Sequence, residues 1–367
     1  MKAVRELMNA AVGDGVFPGG VLLVARDSRI VFWEAFGLAR LSPKRVMKKD
    51  TVFDLASLTK PLASAVSLIV LFGRGKVALD QTLGETISDF SETDKRDVTI
   101  RQLASHTSGL PDYRPYYKAL RHLAPGEATA QLRILLTAEP LVDPPGAVAV
   151  YSDVGFMILQ WVIETVSQTT LDRFVQAAVY DHLGLDRLFF NGAALGVAKR
   201  HCSYAATEAC PWRKKILEGE VHDDNAYVLG GVAGHAGLFG SAEAVFRLLD
   251  HLGMVHAGRI TSNVFARKAV QTFFRRQSEV GTWALGFDTP SRPDSSSGRY
   301  FSDHSVGHLG FTGTSFWMDL DAGVIVILLT NRVHPSRAVD KIKAFRPVLH
   351  DAVMERVATG HGFRETR

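Results

Sequence analysis

Cysteine is nearly missing from this chain: Cys202 and Cys210 are the only two among 367 residues. That excludes a disulfide framework, and the Cys210-Pro211-Trp212 context lacks zinc-finger spacing, so both read as small, partly buried thiols. No stretch reaches the roughly eighteen uninterrupted apolar residues of a membrane span. Long runs of one charge sign are missing too. The 42 Lys plus Arg and 38 Asp plus Glu leave a net charge of +4 spread along the chain, which argues against a nucleic-acid partner. Met1 to Val12 carries charges and lacks a secretory pattern, so a cytoplasmic location is the expectation, periplasmic if translation starts further upstream. The chain has no Gly-x-Ser-x-Gly elbow, no His-Glu-x-x-His and no phosphate-binding Gly-x-x-x-x-Gly-Lys loop. No internal repeat is evident.

What is present suits a globular enzyme. The composition is 46% hydrophobic and 22% charged, enough for a sizeable core. Val4, Leu7, Met8, Ala11 and Val12 follow helical spacing. Val21 to Ala25 and Ile30 to Phe36 flank Asp27-Ser28 and read as a hairpin. A helix is expected from near Ser57 through Leu62, Val66, Ile69 and Val70 to Gly73-Arg74-Gly75. Thr99 to Gln102 has capping-box spacing, and helical stretches follow near Thr129 to Leu136, Asp153 to Val166 and Leu171 to Asp181. Strand patterns return at Thr314 to Asp319 and Val324 to Leu329, and a last helix is expected from near Ser336, kinked at Pro347. Trp33, Trp161, Trp283 and Trp317 read as packing residues.

Strands at both ends and helices between them imply an α/β (α+β) fold. Residues 1–76 and 275–367 would share one antiparallel sheet flanked by helices, with 77–274 a mostly helical insertion and the active site at the seam.

Ser57-Leu58-Thr59-Lys60 is the chemical centre, and it is the only serine followed three positions later by lysine. A serine hydroxyl needs a base before it attacks a carbonyl. Positions i and i+3 share a helix face, so Lys60 reaches Ser57. The helix N-terminus and partial burial are expected to lower the Lys60 pKa toward that of a useful base. Pro61 is tolerated in the first turn, where its missing N–H costs little.

Phe53 to Pro61 resembles the nucleophile segment of the serine β-lactamase and penicillin-binding-protein family, in particular its class C-like serine hydrolases, and Gly219 to Ala226 with Gly230 to Gly237 resembles the branch of that family linked to muropeptide processing. His106-Thr107-Ser108-Gly109-Leu110-Pro111 is similar to a loop of its helical domain, Tyr151-Ser152-Asp153 to its tyrosine motif, and Gly307 to Thr314 to its third motif, all in family order. The resemblance covers nearly the whole chain. It implies a β-lactamase-like fold with a sheet of the five-stranded type. It also implies Ser57 as nucleophile, Lys60 as base, Tyr151 sharing proton transfer, and the backbone N–H groups of Ser57 and Phe311 as an oxyanion hole. Asp153 and His308, with Gly310, would contact substrate.

Two positions depart from the family pattern. Asp153 replaces a common Asn and, ionised, cannot donate a hydrogen bond; it is expected to hold Lys60 charged or to accept from substrate. His308 replaces a common Lys and binds a carboxylate less strongly. Both count against efficient β-lactam hydrolysis. The Gly219 to Gly237 segment is expected to line the cleft with His222, Asp223, Asn225 and His235, the alternative being a glycine-rich turn with satisfied side chains. A zinc site from His222, Asp224 and His235 is disfavoured by the loose spacing, and the resemblance implies no metal or organic cofactor. The expectation is a serine hydrolase for ester, amide or peptide bonds, acting on a small molecule or cell-wall fragment. The alternative is a penicillin-binding sensor that acylates with little turnover.

Overall fold

The structure, a computed structural model, describes residues 1–192, 202–278 and 280–358. Residues 193–201, 279 and 359–367, which fall within the expected domain segments, lie outside the described residues.

The hairpin signalled by Asp27-Ser28 joins β1 (Gly19–Arg26) to β2 (Arg29–Arg40). Asp27 and Ser28 have φ of 48° and 64°, the paired positive values of a two-residue turn whose twist matches the strands. The two-residue β3 (Arg45–Val46) extends that edge. Near the C-terminus come β4 (Val306–Leu309), β5 (Ser315–Asp319) and β6 (Val324–Thr330). The antiparallel sheet has the order β3-β2-β1-β6-β5-β4, five longer strands plus the short edge strand. β1 and β6 pair from Gly20↔Thr330 to Arg26↔Val324, which welds the two ends of the sequence together.

Strand alternation sends side chains into two cores. Leu22, Val24, Val326 and Leu328 face α1 (Lys2–Gly13) and α5 (Ile342–Ala358), meeting Met8, Leu349 and Val353. Val21, Leu23, Ile327 and Leu329 face the larger core, which includes α2 (Val66–Gly73), α3 (Asp153–Ser167) and α4 (Ala242–Ala257). Helix α4 packs directly on β1 and β6, so a helix from the 77–274 segment covers one face of the sheet.

Two elements differ from expectation. The helical run from Ala56 to Gly73 is not uniform: Ala56–Leu58 is 3-10, Lys60–Ala65 is π-helical, and only then does α2 begin. Pro61 has no N–H to close onto the Ser57 carbonyl, and widened turns of this kind occur often at functional sites. This run has a mean hydropathy of 1.5 and is long enough to cross a membrane, yet 83% of it is buried, as befits a core helix. The last helix starts at Ile342 rather than near Ser336. The preceding loop wraps around Arg332, whose guanidinium donates to the carbonyls of Arg337 (3.3 Å) and Val339 (2.6 Å) instead of leaving them for a helix. Pro347 lies inside α5 as expected.

Candidate active site

The nucleophile segment is held before it becomes helical. Phe53 and Asp54 pair with Gly240 and Phe239. The buried Asp54 accepts from Ala56 N–H (2.9 Å) and His222 N–H (2.6 Å). Burial pushes the Asp54 pKa up, opposed by those two bonds. Ala56, directly before Ser57, has φ +48°, a left-handed conformation that strains a residue with a side chain. The third-motif loop locks onto this segment: Thr312 donates to the Asp54 carbonyl (2.8 Å) and Thr314 to the Leu55 carbonyl (3.0 Å).

Lys60 is fully buried. Its Nζ donates to Tyr151 Oη (2.5 Å), Asp153 Oδ1 (2.6 Å) and the His235 carbonyl (3.5 Å). Burial alone would lower its pKa, but Asp153 and Tyr151 outweigh it and hold Lys60 above the ordinary lysine value. This reverses the lowered pKa expected from the sequence, because the Asp153 carboxylate lies at contact distance. Burial also raises the Tyr151 pKa, against the lowering effect of Lys60 and of a hydrogen bond from Ser57. The resting site is therefore an ammonium, a carboxylate, a neutral phenol and a serine hydroxyl in contact.

The His106 to Pro111 loop positions the tyrosine motif. Ser152 caps α3 through Gly155 N–H (3.0 Å) and donates to the Pro111 carbonyl (2.6 Å). The Ser152 N–H donates to His106 Nδ1 (3.0 Å). Burial and the Lys60 charge keep His106 neutral, as that acceptor role requires. Its ring lies 4.8 Å from Tyr151 and 4.5 Å from Trp283, centroid to centroid.

Ser57 opens onto a cleft of about 620 Å³ lined also by Tyr151, Trp283, Asp288, His308 and Phe311. Trp283 is thus a wall of the cleft, whereas Trp317 is buried in the core as expected. Burial and Lys60 push the His308 pKa down to about 3. Neutral His308 donates from Nδ1 to the Leu309 carbonyl (2.8 Å), which leaves Nε2 an acceptor with no partner among the described residues. Gly310 lines the cleft where β4 approaches the nucleophile segment: a Cβ there would lie 2.0 Å from Thr314 Oγ1 and 2.7 Å from the Leu55 carbonyl.

None of His222, Asp223, Asn225 and His235 is among the residues that line this cleft. Asn225 accepts from Tyr117 N–H (2.8 Å) and donates to the Arg114 carbonyl (2.9 Å), which spends its amide on the fold. Asp223 caps a short helix through Ala226 N–H (2.7 Å) and pairs with His235 at 3.0 Å, and its pKa stays low despite burial because His235 opposes it. His222 lies 3.2 Å from Glu208 and stacks on Phe311 at 5.7 Å. Asp224 is engaged by Arg213 (2.8 Å) and Trp212. Gly234 passes so close to α3 that a Cβ would lie 2.1 Å from the Phe156 carbonyl.

Three cleft residues had no signal in the sequence. Asp288 is raised by burial to about 6. Arg332 and Arg346 line the same cleft, and no carboxylate pairs with either among the described residues. Each is a single residue outside any motif.

A serine next to a strained residue, a buried lysine–tyrosine pair and a strand edge meet at one cleft, the arrangement expected of a serine hydrolase. Residues 3–347 match the Beta-lactamase family, and the chain belongs to that family. It is 30% identical over 369 residues to an N-acetylmuramyl-L-alanine amidase of Bacillus subtilis (strain 168), covering 91% of this chain and 81% of that one. It is 29% identical over 349 residues to a protein provisionally named D-alanyl-D-alanine carboxypeptidase of Escherichia coli O157:H7, covering 88% and 80%. Among solved structures, EstCE1, described as a hydrolase with promiscuous acyltransferase activity, aligns with a TM-score of 0.74 and 22% identity over 96% of this chain and 98% of its own, a likeness of fold.

Proposed function

We propose that this hydrolase works through an acyl-enzyme on Ser57 and cleaves amide or ester bonds in small cell-wall-derived substrates. The observation that carries the reading is the contact chain Ser57–Tyr151–Lys60–Asp153 opening onto one cleft. The substrate class rests on the names of the amidase and carboxypeptidase relatives.

In acylation Ser57 Oγ bonds to the substrate carbonyl carbon. The Ser57 proton moves to Tyr151 Oη as Tyr151 gives its own proton to the leaving nitrogen or oxygen, and the carbonyl–leaving-group bond breaks. Water then enters by the same route in reverse. Lys60, held as an ammonium by Asp153, stabilises negative charge growing on the Tyr151 oxygen. For Lys60 itself to be the base, its proton must first leave for Asp153 against the direction of its pKa shift. The Tyr151 route avoids that step. The N–H groups of Ser57 and Phe311 receive the oxyanion. Neutral His308 accepts a substrate N–H or O–H through Nε2.

The test is hydrolysis of p-nitrophenyl butyrate and a muramyl-peptide amide by wild type and Ser57→Ala, with intact mass recorded. Turnover that disappears in Ser57→Ala, with an acyl adduct on the wild-type chain, supports the mechanism. Turnover retained in Ser57→Ala overturns it. An adduct without steady turnover favours the penicillin-binding sensor.

A further inference from the structure

Arg346 is an odd residue to bury. It is 5% exposed, pairs with no carboxylate among the described residues, and leaves Nε without a partner. An uncompensated buried cation is costly unless its charge is used. What Arg346 touches is backbone: Nη2 donates to the carbonyls of Gly310 (3.1 Å) and Thr314 (2.8 Å). Arg332 adds a second grip on the same loop, donating from Nε to the Phe311 carbonyl (2.8 Å) and from its own N–H to the Thr312 carbonyl (3.1 Å).

The Gly310 carbonyl belongs to the same peptide unit as the Phe311 N–H. That bond is trans, so its C=O and N–H point in opposite directions. Gly313 N–H also donates to this carbonyl (3.0 Å), and a cation bonded beside it helps to hold the plane, keeps the N–H aimed away from α5, and draws electron density from it. The other side of this loop is tied to Asp54 and Leu55, directly before Ser57. We infer that Arg346 is a positioning residue for the oxyanion hole: through the Gly310 carbonyl it orients and polarises the Phe311 N–H, and its unpaired charge favours the oxyanion. This rests on the Ser57 acyl-enzyme reading. Burial and the neighbouring Arg332 lower the Arg346 pKa to about 9, so it remains charged at neutral pH.

The experiment compares wild type, Arg346→Gln and Arg346→Lys on p-nitrophenyl butyrate, with binding of phenylboronic acid as a tetrahedral oxyanion probe and thermal melting as a fold check. Gln keeps a neutral donor, and Lys keeps the charge. Arg346→Gln should lower kcat about ten- to a hundredfold with KM nearly unchanged, and weaken the boronate in parallel, as expected for an oxyanion donor. Arg346→Lys should retain at least about a tenth of wild-type kcat. A Gln variant with wild-type kcat, or one whose only defect is a raised KM, overturns the proposal, the latter in favour of an arginine that binds a substrate anion. Should the Gln variant not fold, Lys decides alone: a folded Lys variant below a tenth of wild-type kcat overturns it. Activity surviving in Ser57→Ala removes the underlying reading instead, so the two failures are distinguishable.

Discussion

The Lys60 ammonium sits 2.6 Å from Asp153 Oδ1 and 2.5 Å from Tyr151 Oη, so one buried cation is shared between a carboxylate and a phenol. The carboxylate holds Lys60 charged, and its position is where the family often carries a neutral amide.

Asp153→Asn therefore tests which group moves the proton. Without the carboxylate, burial lowers the Lys60 pKa. If Lys60 acts as a cation beside Tyr151, the alkaline limb of kcat/KM should move down by about one pH unit or more. An increase in rate as Lys60 deprotonates would assign the base to Lys60. For stability, the raised Lys60 pKa makes the pair's contribution complete below the ordinary value of 10.5, and lost as pH rises through the higher folded value. Asp153→Asn should accordingly lose stability at neutral pH, read by thermal melting.

Asp288 titrates within reach of ordinary conditions. Its pKa rises from 3.8 to about 6 through burial, although Thr282 Oγ1 (2.8 Å) and Thr289 N–H (2.9 Å) both donate to it. The folded state therefore prefers the proton, and the preference is fully present below 3.8 and lost as pH rises through about 6. Asp288→Asn keeps an acceptor for both donors. It should match wild type near pH 3.5 and be more stable by up to about 3 kcal/mol at pH 7.5. Denaturant melts at the two pH values measure the difference.

Gly310→Ala places a methyl against the Leu55 carbonyl and Thr314 Oγ1, and the backbone carbonyl cannot swing aside as a long side chain does. The expected cost is about 2 kcal/mol or more in stability. Displacement of Phe311 relative to Ser57 should lower kcat at least about a hundredfold. Melting and steady-state kinetics on one preparation give both numbers.

Much of the frame was legible in the residues. Asp27-Ser28 between apolar runs gave the hairpin, the Thr99 and Gln102 capping box forms, and Ser57 and Lys60 stand on one short helical run. These signals are local, with partners two to four positions away. Arg346, Arg332 and Asp288 were not legible because their roles come from contacts across the fold, as when Arg346 reaches the Gly310 and Thr314 carbonyls from another element. The direction of the Lys60 shift failed for the same reason: its decisive neighbour, Asp153, lies 93 positions away. Asn225 looked like a cleft residue because its segment is rich in polar side chains, and only tertiary contact shows where its amide is spent.

The hydrogen bonds from Thr312 and Thr314 to Asp54 and Leu55 close loops of 258 and 259 residues. On the ribosome, then, the Asp54 and Leu55 carbonyls are made long before the Thr312 and Thr314 hydroxyls that bond them. The sheet faces the same wait, since β1 lies between β2 and β6. Such distant closure slows folding and leaves apolar strands exposed meanwhile. It also means that a nascent chain stalled before β4 carries the Ser57 segment without the loop that is tied to it.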